Sequence, residues 1–399
     1  MNTPWQRRAI TLGACLSAPF SASLSAEILS NPAISLALDG YYQEGERPLD
    51  YRDTGFGLGH TELALSATID DKFYGKVTTV LESFEGELEL ELEEAFIQTL
   101  AMPAGLSLRA GRFFAETGYL NGQHLHSDAF VSRPAVYRAL LGNHYFDDGI
   151  RINWVAPTDL YWELGGELFD GAPLQAEDLD HPETVGVYHL YTKFGGDIGI
   201  DHSWQVALSW LRNENGQGHA EPHDHVEVAE VVDEHEHAHG ARFTGRDLYN
   251  LSAVYKWAPG GNYKYRHLTL SGEYFYLNAP FAEDSDPHEP GILATEEHEP
   301  EFFDGWYLSG VYQFAPSWSV GLRYGEMNAA LWEELEEEGH FHDARIREVE
   351  AMVAWHPSHF STVRLQYVDQ RVTELGDFDD QVFTLQYVMT LGAHGAHQF

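Results

Sequence analysis

Beyond its amino-terminal stretch the chain holds no apolar run approaching the roughly 18 residues of a membrane-spanning helix. It is built instead of strand-length stretches in which apolar and polar residues alternate. Leu63, Leu65, Ala67 and Ile69 alternate with Glu62, Ala64, Ser66 and Thr68, and Phe383, Leu385, Tyr387, Met389 and Leu391 alternate with Val382, Thr384, Gln386, Val388 and Thr390. Successive side chains of a strand face opposite ways, so each stretch has one greasy face and one wet face.

A sandwich also alternates, so the connections must decide. The pattern predicts sixteen strands at 33–43, 59–69, 73–82, 87–99, 106–114, 148–156, 160–169, 185–195, 203–212, 246–257, 265–277, 305–315, 317–327, 345–355, 359–370 and 381–391. Even strands are followed by short joints. Odd strands are followed by long ones, at 44–58, 115–147, 170–184, 213–245, 278–304, 328–344 and 371–380, with 83–86 the short exception. Short turns on one rim, long loops on the other and an even strand count are the layout of an outer-membrane barrel, closed because lipid cannot satisfy an open sheet edge. Tyr145, Trp154, Trp162, Trp204, Trp210, Trp257, Trp306, Trp318 and Trp355 lie near predicted strand ends, as interfacial girdles require. The expected fold is therefore all-β: a transmembrane antiparallel up-and-down β-barrel of about 16 strands, with short periplasmic turns and long extracellular loops.

Arg7-Arg8, the apolar run Ala9 to Phe20 and the small residues ending at Ser25-Ala26 have the layout of a secretory signal, so residues 1–26 are assigned to it and 27–399 to the barrel. Cys15 is the only cysteine and falls inside the signal, which excludes disulfides and a thiolate zinc site in the mature chain. Loss of Arg7 and Arg8 takes the net charge from −40 to −42. Such a surface disfavours nucleic acid and favours cations.

With both termini periplasmic, every long connection is extracellular, and fourteen of the 22 histidines then fall in outer loops. Between Gly218 and Gly240 stand six histidines and seven acids, among them His219, His223, Asp224, His225, His235, His237 and His239; His340 and His342 repeat the His-x-His spacing. Residues two apart in extended backbone face the same way, and imidazole with carboxylate is a ligand set for zinc and neighbouring divalent metals. A His-rich tract is compositionally metal-binding, although a solvated polar loop has similar composition.

The longest loop, 115–147, carries His124, His126 and Asp128, beside Arg133, Arg138 and apolar residues that could fold against the wall. Folded into the lumen, these three side chains would meet a passing cation; a packing role fits them equally. In the wall, Glu87, Glu89, Glu91 and Glu93 alternate with Leu88, Leu90 and Leu92, which predicts acids to water and leucines to lipid, since charge on the lipid face costs roughly 2–4 kcal/mol near the midplane. Lys76, Arg109, Arg151, Arg323 and Arg364 are candidates to stand opposite acids across the pore.

The terminal Phe399 after an alternating strand resembles the signature of barrels inserted by the barrel assembly machinery. Leu92-Glu93-Glu94-Ala95-Phe96 and Leu108-Arg109-Ala110-Gly111-Arg112-Phe113-Phe114 resemble early strands of the porin superfamily that includes phosphate-selective porins. The ending Leu391 to Phe399, with the histidine-rich loops, resembles zinc-responsive outer-membrane proteins. The resemblance implies a passive or facilitated pore with a role in zinc acquisition. Two departures stand out. Phosphate-selective relatives line the lumen with lysine and arginine, whereas here 23 basic residues face 63 acidic ones. Alternation begins by Ile34, which leaves no length for the amino-terminal plug of energised receptors.

There is no Gly-x-Ser-x-Gly, no His-Glu-x-x-His and no phosphate-cradling glycine loop, so catalysis is not expected. The reading is a channel for small solutes favouring divalent cations, with Zn2+ or another divalent cation as ligand and no required cofactor. The alternative is a non-conducting surface metal-binding or adhesion barrel. The partners implied are membrane lipids and lipopolysaccharide, divalent metal ions and the barrel assembly machinery; a homotrimer is compatible with the resemblance, and nucleic acid is excluded.

Overall fold

The computed structural model describes residues 32–84, 87–175, 182–215, 245–278, 302–335, 338–373 and 378–392. Apart from β2 (Gly55–Leu58) and β3 (Thr61–Thr68), consecutive strands pair antiparallel, and β1 (Ala33–Glu44) pairs with β17 (Phe378–Gly392), Leu36 opposite Leu391, to close the sheet. The two short segments β2 and β3 both pair with β1 and form one strand interrupted at Gly59 and His60. The described residues thus form a closed sixteen-stranded barrel.

Alternation sorts the two faces. Along β17, Phe383, Leu385, Tyr387 and Leu391 are exposed, whereas Val382, Thr384, Gln386 and Val388 are buried. The outer surface is therefore apolar and the inner one mixed, the inverse of a soluble barrel. Leu65, Leu190, Leu251, Leu308, Leu322 and Leu385, on different strands, are all exposed on this outer face, a surface that suits lipid. Aromatic pairs mark the end near the short turns: Trp318 stacks on Trp355, and Trp162 on Phe194. Tyr145 does not join them. It is buried inside the barrel, its hydroxyl donating to Asp147 Oδ2 at 2.9 Å, because it ends a loop that enters the lumen.

Residues 328–344, expected to be a loop, are largely paired backbone. β14 (Trp318–Leu335) and β15 (Glu338–Ser358) continue in register from Trp318↔Trp355 to Leu335↔Glu338. Alternation is a signal of two unlike solvents, and a hairpin that continues past the membrane has no need of it.

Between β6 (Leu106–Phe114) and β7 (Phe146–Val155) the chain turns inward and fills much of the lumen. Its short helix α1 (Ala135–Leu141) begins after Pro134 and ends at Gly142 in the left-handed region, a common helix stop. All seven helical residues are buried. Tyr137 meets Phe275 with ring centroids 5.1 Å apart, and a Cβ on Gly305 would lie 2.8 Å from Val136 Cγ2, so that glycine makes room for the helix. Gly118 has φ +78°, and a Cβ there would collide with the Tyr137 hydroxyl and with Glu273.

Candidate metal centre in the lumen

Two breaks in strand regularity aim side chains at this inward loop. At Gly59-His60 the strand is interrupted, which presents His60 to the interior. In β5 (Glu87–Thr99), paired with β4 (Phe73–Phe84), Thr78 lies opposite Glu94 and Thr79 opposite Leu92, so Glu93 is the extra residue of a bulge. A bulge inverts the facing parity. Leu88, Leu90 and Leu92 are exposed before it, whereas Glu93 and Glu94 are both buried.

The loop brings imidazoles to meet them. His124 precedes and His126 sits within a 3-10 turn, Leu125–Ser127, and their rings stack at 5.8 Å with an interplanar angle of 19°. His144 enters from the end of the loop and packs edge-on against Phe114 at 5.0 Å. The Glu93 carboxylate lies between them: Oε1 is 2.9 Å from His144 Nε2 and 3.1 Å from His60 Nε2, and Oε2 is 3.4 Å from His124 Nδ1. Glu62 Oε2 lies 2.9 Å from His124 Nδ1 and 3.1 Å from His126 Nδ1. On its far side His124 Nε2 is 3.1 Å from Glu94 Oε2, which also accepts from Thr78 Oγ1 at 2.9 Å and pairs with Lys76.

Burial is severe. Glu93 is 0% and His60 3% exposed. Yet neither oxygen of Glu93, nor Glu62 Oε2, His60 Nε2 or His124 Nδ1, makes a hydrogen bond of acceptable geometry. Buried polar groups are nearly always satisfied, because a lost bond costs about 1–3 kcal/mol and more for a charge. Burial works to lower the basicity of His124, but Glu62, Glu93 and Glu94 outweigh it and hold this imidazole well above its ordinary range. For His144 burial prevails over Glu93, and its pKa is lowered. Two loop histidines beside one carboxylate thus favour different protonation states.

Of the residues singled out in the sequence, His124, His126 and Glu93 come together, and Lys76 joins their margin. Asp128 does not. Its carboxylate accepts from Arg133 Nε at 2.9 Å, because the 3-10 turn directs it away from the two histidines. Glu89 and Glu91 are half-buried on the inner side of the same strand. Arg109 donates to Gln98 Oε1 and lies over the Phe96 ring at 4.2 Å; Arg151 is buried and pairs with Glu116 at 2.7 Å and with Glu167. The 219–239 tract with His219, His223, Asp224, His225, His235, His237 and His239, the side chains of Glu87, His340 and His342, and the amino-terminal signal lie outside the described residues.

His60, Glu62, Glu94 and His144 were not singled out as ligands by sequence reasoning. A signal for Glu94 existed: Glu93-Glu94 breaks the Glu-Leu alternation, as a bulge does. Nothing local marks His60 as a neighbour of His144, 84 positions away.

No protein-family model matches the chain. It is 28% identical over 361 residues, 86% of this chain and 70% of the other, to a protein of Aquifex aeolicus (strain VF5) described as uncharacterized. In structure it is similar to the anion-selective porin from Comamonas acidovorans, with a TM-score of 0.54 and 9% identity, covering 90% of this chain and 99% of that one. It is similar also to Salmonella typhi OmpF in complex with daunomycin, with a TM-score of 0.54 at 10% identity over 92% and 99% of the two chains. For the outer membrane channel DcaP of Acinetobacter baumannii the TM-score is 0.52 at 10% identity, over 90% and 96%. These likenesses establish a porin-type fold. With that fold and a lipid-facing apolar exterior, the chain is a barrel of the Gram-negative outer membrane.

Proposed function

We propose that this barrel is a porin-like channel for small solutes that favours divalent cations, zinc first. One observation carries the reading: the inward loop sets His124, His126 and His144 against Glu62, Glu93 and Glu94 of the wall. This donor set suits zinc and repels anions. Cavities of about 550 and 290 Å³ flank the loop toward the short-turn end, the first lined by Glu116, Glu163 and Lys193, the second by His126, His267 and His356. The 219–239 tract would concentrate cations at the outer mouth. Membrane lipids and lipopolysaccharide, the barrel assembly machinery and a homotrimer belong to the same reading.

The depth to which α1 fills the lumen favours a second reading, a non-conducting surface barrel that binds metal. Planar-bilayer conductance separates the two. The channel reading expects open-channel steps, a cation-selective reversal potential, and zinc entry into dye-loaded liposomes that falls when 219–239 is deleted. A silent barrel, or an anion-selective one, would sink it.

A further inference from the structure

We propose that Glu93 bridges two divalent metal ions in a buried centre that staples the 115–145 loop to the barrel wall. The inference rests on the donor set described above but not on conduction: here the ions are held, not passed.

The donors fall into two sets around one carboxylate. Oε1 of Glu93 faces His60 Nε2 and His144 Nε2 at 3.1 and 2.9 Å. Oε2 faces His124 Nδ1 at 3.4 Å, and that nitrogen and His126 Nδ1 both lie within 3.1 Å of Glu62 Oε2. Ligand atoms around a tetrahedral zinc, bonded at roughly 2.0–2.1 Å, stand about 3.3 Å apart, which is the scale of these separations. His60, Glu62 and Glu93 offer donor atoms that all lie within 4.8 Å of one another, so the two sets are contiguous.

Carboxylates stand behind two of the imidazoles. Glu82 Oε2 lies 3.7 Å from His60 Nδ1, and Glu94 Oε2 lies 3.1 Å from His124 Nε2, which Lys76 Nζ also approaches at 2.9 Å. A carboxylate on the far nitrogen is the arrangement that orients metal-ligating histidines and raises their basicity as ligands. The charges point the same way: Glu62, Glu82, Glu93 and Glu94 converge with Lys76 as the ammonium beside them. The fully buried Glu93 makes no hydrogen bond with either oxygen, although nitrogens surround it at ligand spacing. Hydrogen-bonded ion pairs would satisfy those oxygens; metal coordination satisfies them without that geometry. Because three ligands come from the wall at His60, Glu62 and Glu93, and three from the loop at His124, His126 and His144, the ions cannot leave unless the loop moves.

The test uses the full chain, extracted in detergent and shown folded by its heat-dependent gel mobility. Zinc is stripped with chelator, reloaded, and passed over chelating resin before metal per chain is counted by mass spectrometry. Wild type is compared with Glu93→Gln, with the double variant His60→Ala/His144→Ala, and with a chain whose six tract histidines are all alanine. Wild type and the tract variant are expected to keep roughly two ions per chain, Glu93→Gln roughly tenfold less, and the double variant, which retains His124, His126 and Glu62, about one. Cobalt provides a second readout, since its tetrahedral visible absorption should fall by about half in the double variant even where Glu93→Gln folds poorly. Retention of no ion or of one ion by wild type, retention lost in the tract variant, or equal retention in Glu93→Gln would overturn the bridged centre. Conductance of the same samples keeps the two readings apart: a silent barrel that holds zinc defeats only the channel, and a conducting barrel that holds none defeats only the staple.

Discussion

The inward loop is anchored on two sides of the lumen by opposite chemistry. On the side of β15 and β16 (Ser361–Thr373) the anchors pair carboxylates of β15 with guanidinium groups from β14, α1, β16 and the stretch after β1. Glu348 accepts from Arg47 at 2.7 Å, from the Ala135 backbone at 2.9 Å and from Arg138, while Glu350 accepts from Arg323 through both Nε and a terminal nitrogen at 2.7 Å and from Gln366 at 2.8 Å. Arg364 donates to the Asp128 carbonyl at 2.7 Å, and Gln366 accepts from the Val131 backbone at 2.6 Å. On β3 and β5 the anchors are imidazoles around Glu93, whose oxygens remain unsatisfied. A guanidinium is permanently charged and its planar fork matches a carboxylate, so the Glu348 and Glu350 carboxylates are satisfied within the protein. An imidazole binds a proton or a metal, so the histidine side calls for a third party.

The largest expected effect lies on the arginine side. Glu348→Ala leaves Arg138 buried without its carboxylate and Arg47 with Asp50 alone, and breaking such a buried pair costs about 3–5 kcal/mol. Denaturant unfolding of the folded barrel should show that loss equally in the presence and absence of zinc. Dependence of the loss on zinc would break the contrast between the two anchors.

Next in size, Glu94→Gln keeps the shape of the side chain but removes the charge behind His124. Zinc affinity, read by competition with a chromophoric chelator, should fall about 10–100-fold. Glu350→Gln, on the other side, should leave it unchanged. Equal effects of the two substitutions would mean that the sides are coupled.

The smallest effect is a proton. Metal takes neutral imidazole, so the protonated form of His124, favoured by its three carboxylates, must release a proton on binding, whereas His144, pushed down by burial, is already neutral at pH 7.5. Affinity should therefore rise with pH by up to about tenfold per unit for each proton released, and be weaker at pH 5 than at 7.5. Calorimetry in two buffers of different ionisation enthalpy counts the protons. Release of none, with equal affinity at both pH values, would show that carboxylates alone bind the metal.

Much of the barrel was legible in advance because alternation is a local signal with a period of two, and each sequence-read strand overlaps an observed one. Local signals failed where geometry stopped being local. The paired backbone over 328–344 lies where alternation no longer separates two solvents. Tyr145 was placed in a girdle because its position next to a strand does not reveal that its loop turns inward. His124 and His126 were legible as metal-type residues, but Asp128, at the same spacing, turned to Arg133 because the backbone there is a 3-10 turn and not a strand.

What the sequence alone determined is a closed barrel with greasy outside and polar inside, since lipid and water each select one side chain of every adjacent pair. The tertiary structure decided which polar groups meet. His60, Glu62, Glu93, His124 and His144 belong to two strands and a loop, and no periodicity relates them. They converge because closure of the sheet and entry of the loop leave little space inside the wall, and a bulge at Glu93 turns two consecutive acids into it.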